Sequence, residues 1–508
     1  MPSLQETLSA GYAFSAPVVT LGAALDARGT VTEPKVAFPT AMMNRHGLIA
    51  GATGTGKTKT LQLMAEQLSS QGVPVFVADI KGDVSGIAVP GARSPAVDER
   101  AASVGVAWEP RGYPAEFVSL TGQTGAQLRA TVSGFGPLLL SKVLGLNETQ
   151  TSVLTLVFKI CDDQGLPLLD FADLRAVLKY LASDAGKPVL EESGGMSHAT
   201  VGVLLREMVE LEAQGAGKFF GEPEFDVRDL LHVTSDGRGV VTALELSDAQ
   251  DRPALFSTFL MWLLAELYQV LPEAGDLPKP KLVFFFDEAH LLFRDASKDF
   301  LSHVEQVVRL IRSKGVGIFF VTQRPKDVPE EILAQLGSRV QHALRAHTPD
   351  DEKNLRATVR TYPKTELYDL QETLTSLGIG EAIVTGLNPR GVPTPVIATR
   401  LAPPTSRMSP LTADEFQKEF AESDLMRAYG TPVDRDSATE MLARRLEQGE
   451  EGKRGEEGKV GKIGKAAGGG LLGALTSPTA RALGRELIRG VFGMLTGKAP
   501  RRTTRSRW

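Results

Sequence analysis

One cysteine, Cys161, stands in 508 residues, so no disulfide can close within the chain and no cysteine-based metal site can be built. Seven histidines are scattered without an H-E-x-x-H pair, which removes the common zinc-hydrolase pattern. Charge of neither sign dominates: 56 Lys and Arg against 61 Asp and Glu leave a formal charge of -5. That balance does not mark a nucleic-acid binder, although gripping DNA in a narrow pore needs only local positive charge. No window approaches about 18 uninterrupted apolar residues, and the N-terminus from Met1 to Glu6 lacks a charged segment followed by an apolar core. These absences predict a soluble, unexported protein of the reducing cytoplasm with no transmembrane segment. The 42% hydrophobic content suffices for one large core with appendages, two or three structural units in all.

Against this background one segment stands out. Leu48-Ile-Ala-Gly51-Ala-Thr-Gly-Thr-Gly56-Lys57-Thr58 is an apolar strand running into a complete G-x4-G-K-[ST] phosphate loop. Leu61, Met64, Ala65 and Leu68 then recur at helical spacing until Gly72 stops the helix. Strand, glycine-rich loop and helix thus occur in the order that nucleotide binding requires. The glycines let backbone N–H groups turn inward around phosphates, and the helix N-terminus adds its positive dipole end. Gly51, Ala52, Thr53, Gly54, Thr55, Gly56, Lys57, Thr58 and Lys59 are the candidate nucleotide cradle, with Lys57 reaching the terminal phosphates and the Thr58 hydroxyl on Mg2+.

A phosphate loop alone does not imply hydrolysis, because kinases, switches and motors share it. The deciding strand is Leu282-Val-Phe-Phe-Phe286-Asp287-Glu288, five apolar residues followed by two carboxylates. Asp287 is the candidate metal residue and Glu288 the candidate base that polarises the attacking water. A third strand, Val316–Val321, ends in Thr322-Gln323, which places Gln323 beside the γ phosphate if the strands lie side by side. Arg309, Arg312, Arg339 and Arg345 are candidate cations for the developing charge. Arg309 pairs with Glu305 at i−4, which leaves Arg339 first, as a finger reaching a neighbouring subunit, and Arg312 second.

The fold class this predicts is α/β, a mostly parallel sheet flanked by helices. Residues 1–45 read as a strand-rich lead-in, 46–405 as the nucleotide-binding core with a helical insertion at about 120–235, and 406–448 as a helical extension. The near-repeat within 449–470 reads as a solvated linker. Residues 471–508 form a basic amphipathic tail, with Arg481, Arg485 and Arg489 on one helical face, suited to a protein partner, DNA or a membrane surface.

Taken together, Asn44–Thr58, Asp79-Ile-Lys-Gly-Asp83, Phe286-Asp-Glu-Ala-His290, Arg312-Ser-Lys-Gly315, Thr322-Gln323 and Gly337-Ser-Arg-Val-Gln341 resemble the HerA/FtsK class of P-loop ATPases, and most of all its YjgR-type HerA-like branch. The resemblance spans about residues 44 to 400. It implies a RecA-like core, ATP with Mg2+, a homo-oligomeric ring of six subunits, trans arginine fingers and DNA translocation. The first 45 residues are too short for the full N-terminal β-barrel of the DNA-end-processing HerA proteins, which argues against carrying over their nuclease partner. The competing expectation is a nucleotide-gated assembly protein that never moves along DNA.

Overall fold

The computed structural model describes residues 3–26, 29–192, 196–247, 252–294 and 297–456. Its short apolar runs form one sheet: β1 (Val18–Asp26), β2 (Gly29–Pro39), β3 (Gly47–Ala50), β4 (Val75–Asp79), β5 (Ala115–Ser119), β6 (Ala126–Gln127), β7 (Val241–Glu245), β8 (Leu282–Phe286), β9 (Val316–Thr322), β10 (Ser338–His342), β11 (Glu381–Thr385) and β12 (Ile397–Leu401). The order across the 12-stranded sheet is β2-β1-β12-β11-β10-β3-β9-β8-β4-β7-β5-β6. From β10 to β6 every neighbouring pair is parallel, whereas β11, β12, β1 and β2 make an antiparallel flank. Strands β3, β4, β7, β8 and β9 are buried along their whole length, as continuous apolar runs covered on both faces should be.

The chain divides into two compact units. The first (1–129, 211–219 and 223–433) contains the entire sheet. Its helix α2 (Lys57–Ser70) buries Leu61, Met64, Ala65 and Leu68 against Ile49, Val75, Val77, Val283 and Phe285. The helix Pro253–Val270 brings Phe259 and Trp262 against Phe219, at ring separations of 5.8 and 5.5 Å. The second unit (130–210, 220–222 and 434–508) is helical among its described residues. Its helix Glu148–Gln164 starts at a reciprocal cap, with Asn147 Oδ1 accepting from Gln150 N and Gln150 Oε1 from Asn147 N. Leu154, Val157, Ile160, Leu174, Val177, Leu178 and Leu181 are its buried stripe. Among the described residues no helix is long and apolar enough to cross a membrane.

Three segments differ from the sequence expectation. The first 45 residues are not a separate lead-in, because β1 pairs antiparallel with β12 and continues the sheet. They also begin with a helix, α1 (Leu4–Tyr12), nucleated by the reciprocal Ser3/Glu6 cap and anchored by Tyr12 Oη donating to Pro395 O at 2.7 Å. The extension over 406–448 is divided between the units. Ala413–Glu422 lies in the first unit, where Phe416 packs on Phe117 at 4.7 Å. Ala438–Glu456 lies in the second, where Thr439 donates from N and Oγ1 to Asp173 Oδ1 at 3.0 and 2.8 Å. That last helix continues to Glu456, through the start of the segment read as linker, since Glu, Lys and Arg propagate a helix once packing has nucleated it. The tail 471–508 lies outside the described residues.

Candidate active site

Parallel neighbours bring the carboxyl ends of β3, β9, β8 and β4 to one edge of the sheet, and the phosphate loop, Gln323, Asp287 and Glu288 collect there because each follows its strand directly. The loop between β3 and α2 is seated by its neighbours: Gly51 N donates to Thr322 O at 3.2 Å and Ala52 N to Ala343 O at 2.9 Å. A Cβ on Gly51 would lie 2.4 Å from His342 Cβ, so only glycine lets the loop pass this close to β10. Gly56 starts α2 from φ +110°, a conformation that disfavours any side chain. Lys57 is buried and its Nζ donates to Gly51 O and Ala52 O, at 2.9 and 3.2 Å. Burial lowers its pKa, and the charges of Glu288 and Asp287 oppose that shift. Thr53 and Gly54 are exposed at the loop tip, Ala52, Gly56 and Thr58 are half-buried, and Thr55 is buried. Lys59 turns away, its Nζ donating to Met408 O.

Asp287 and Glu288 follow β8, 2% and 4% exposed. Asp287 Oδ1 accepts from Glu288 N at 2.9 Å, while Oδ2 is buried without a protein partner. Burial, then the neighbouring Glu288 and Asp79 charges, push the Asp287 carboxyl up to about 7. Asp287, Asp79 and Asp83 each present a carboxylate oxygen within 4.8 Å of the others. Asp79 spends its oxygens on backbone, accepting from Lys81 N, Gly82 N and Val84 N. Asp287 Oδ2 and Asp83 Oδ1, both buried without a hydrogen-bond partner, are therefore the oxygens of this cluster free to meet a cation.

Glu288 adopts φ +47° although it is not glycine, a strain of about 1–3 kcal/mol that marks a held side chain. Lys81 Nζ bonds Glu288 Oε1, and His290 Nδ1 lies 3.2 Å from Oε2 without hydrogen-bond alignment. Burial pushes the Glu288 carboxyl up, but Lys81, His290 and Lys57 together bring it below its ordinary value. It is thus an ionised carboxylate in a nearly dry position, able to accept a proton from water.

Gln323 follows β9, half-buried, between the phosphate loop and the carboxylates in strand order. The two favoured arginines lie elsewhere. Arg339, in β10 beside Leu48, donates to Thr361 Oγ1 at 2.8 Å and covers the Tyr362 ring at 5.8 Å. Arg312 is exposed just before the amino end of β9, near Arg45. Neither approaches its own chain's phosphate loop.

Sequence reasoning assigned no role to Lys81, His290 or His342. Lys81 and His290 carried a signal, standing two residues after Asp79 and Glu288. His342 carried none. It is fully buried at the end of β10, its Nε2 paired with Thr60 Oγ1 at 2.9 Å, and burial together with Lys57 pushes its imidazole down to about 3.

The model of the helicase HerA-like C-terminal family matches residues 27–501. A probable helicase of Methanocaldococcus jannaschii is 33% identical over 118 residues, 23% of this chain and 22% of that protein. The DNA double-strand break repair helicase HerA of Sulfolobus acidocaldarius is 22% identical over 407 residues, 75% of this chain and 71% of its own length. The match thus spans under a quarter of the first relative's length and over two thirds of the second's. Plasmid coupling protein TrwB, solved with the ATP analogue ADPNP, is similar at a TM-score of 0.48 and 15% identity, over 78% of this chain and 99% of TrwB.

Proposed function

Since the chain belongs to the helicase HerA-like C-terminal family, and with it to the ATP-hydrolysing P-loop enzymes of the HerA/FtsK class, we propose that it is a Mg2+-dependent ATPase working as an oligomeric ring that translocates or remodels DNA. The observation that carries the hydrolytic part is the meeting of buried Lys57, Asp287 and Glu288 at one sheet edge. Lys57, released from its bonds to Gly51 and Ala52, binds the terminal phosphates of ATP, and the N–H groups opening α2 orient them. Thr58 and Asp287 would hold Mg2+, and the unpartnered Asp287 Oδ2 fits that duty. Bound there, Mg2+ supplies charge neutralisation of the phosphates. Glu288 takes the proton of the attacking water, and Gln323 orients that water.

For the trans cation, Arg312 now has the better claim. Arg339 is engaged by Thr361 and Tyr362, whereas the exposed Arg312 guanidinium is presented at the opposite end of the strands, available to a neighbour's nucleotide. The DNA reading is supported by the names of the helicase relatives. Its test is ATP turnover by the purified protein with double-stranded DNA, single-stranded DNA and no polymer, at low and moderate salt. Stimulation that fades with salt is expected, because phosphate contacts release counterions. A rate indifferent to DNA moves the assignment to a partner-controlled ATPase.

A further inference from the structure

The strand order gives a bound nucleotide a direction. Gln323, Glu288 and Asp287 all lie on the β9–β8 side of the phosphate loop, so the terminal phosphate points that way. The ribose and base then leave on the opposite side, where β10 and β11 lie. There the turn 377–380, which leads into β11, meets the loop directly: Gly380 N donates to Thr55 O at 2.9 Å, and a Cβ on Gly56 would sit 3.4 Å from Gly380 N.

This turn is held from several directions. Glu381 Oε2 accepts from Gly378 N at 2.8 Å, and Glu381 N donates to Gly378 O at 3.1 Å. Arg100, from α3 (Pro95–Val104), donates to Ile379 O and Gly380 O at 2.9 and 3.3 Å. Ile379, at its tip, is 73% exposed, the highest value for any large apolar side chain among the described residues. A single exposed isoleucine on a mobile surface needs no explanation. Here the turn is fixed, braced by an arginine and bonded to the phosphate loop, which makes the side chain a preorganised apolar contact.

We propose that Ile379, presented on the turn braced by Arg100, is the platform against which the purine base of the bound nucleotide packs. The proposal rests on the nucleotide reading above and adds the base contact to it. Ile379 contributes through apolar area, and Arg100 is a positioning residue that holds the turn against the loop.

Isothermal titration of the full chain in Mg2+ buffer, with ATP and with inorganic tripolyphosphate, tests this. Ile379→Ser should weaken ATP about tenfold and leave tripolyphosphate within about twofold, while Ile379→Leu restores ATP binding. Arg100→Ala should show the same selective loss. Unchanged ATP affinity in Ile379→Ser overturns the platform, as does an equal loss for both ligands, which would mean that the phosphate loop itself had shifted. A wild-type chain that binds neither ligand overturns the nucleotide reading itself, and the platform falls with it.

Discussion

The two ends of the central parallel strands treat charge differently. At the carboxyl ends Lys57, Asp79, Asp287 and Glu288 are all under a tenth exposed, and carboxylate oxygens of Asp83, Asp287 and Glu288 are buried without a hydrogen-bond partner. At the amino ends Arg45 and Arg312 meet solvent or the fully exposed Asp276, at 3.7 Å from Arg45. Burying charge costs more than an exposed ion pair returns, so stability alone does not explain the carboxyl end. The proposed nucleotide and metal ion, which would complete those partnerships, account for it.

β3 carries the same contrast in its two flanking histidines. His46, just before it, is buried and accepts from Ile318 N at 3.0 Å through Nδ1, and burial pushes its imidazole down to about 4. His342, beside its far end, is equally buried but touches the helix that carries the phosphate loop.

The largest effects should come from breaking the carboxyl end. Lys57→Ala should lose turnover about 10²- to 10³-fold or more, with ATP binding weakened in equilibrium dialysis. Glu288→Gln should retain ATP yet lose turnover about 10²- to 10⁴-fold; normal hydrolysis by that variant would remove Glu288 from the role of base. At the amino end, Arg312→Ala should bind ATP and fail to turn it over, and mixing it with Lys57→Ala protein should restore part of the rate by pairing an intact loop with an intact arginine. Arg339→Ala should keep most of its activity, and the reverse ranking would return the finger to Arg339.

The smallest effect sharpens the histidine contrast. Both imidazoles have folded pKa values below the unfolded value near 6.5, so the unfolded chain binds more protons in between and stability falls as pH drops from about 6.5 toward 4 or 3. His46→Asn and His342→Asn should each flatten that acid limb in thermal melts from pH 7 to 4.5. His342→Asn should in addition shift ATP affinity a few-fold at pH 7.5, where His46→Asn does not.

Local order made much of this legible. The phosphate loop and the acidic pair are written in contiguous residues because backbone geometry requires those types at that spacing, and a buried strand ending in carboxylates needs no distant partner to be recognised. The reciprocal cap at Asn147 was equally readable. The α1 cap at Ser3 and Glu6 has the same form, hidden only because the segment around it alternates like strands. The place of β1 in the sheet, between β2 and β12, could not be read, since β12 lies at the other end of the core sequence and pairing register is a long-range property.

The chain's own residues therefore specify the elements of the proposed chemistry: the phosphate-loop pattern, the acidic pair proposed as metal residue and base, and the α/β alternation that brings strand ends together. Their meeting is a matter of packing. His342 against Gly51, Lys81 on Glu288 and the turn at Ile379 against Thr55 join segments far apart in the chain through strand order and burial, and neither quantity is encoded in any short stretch of sequence.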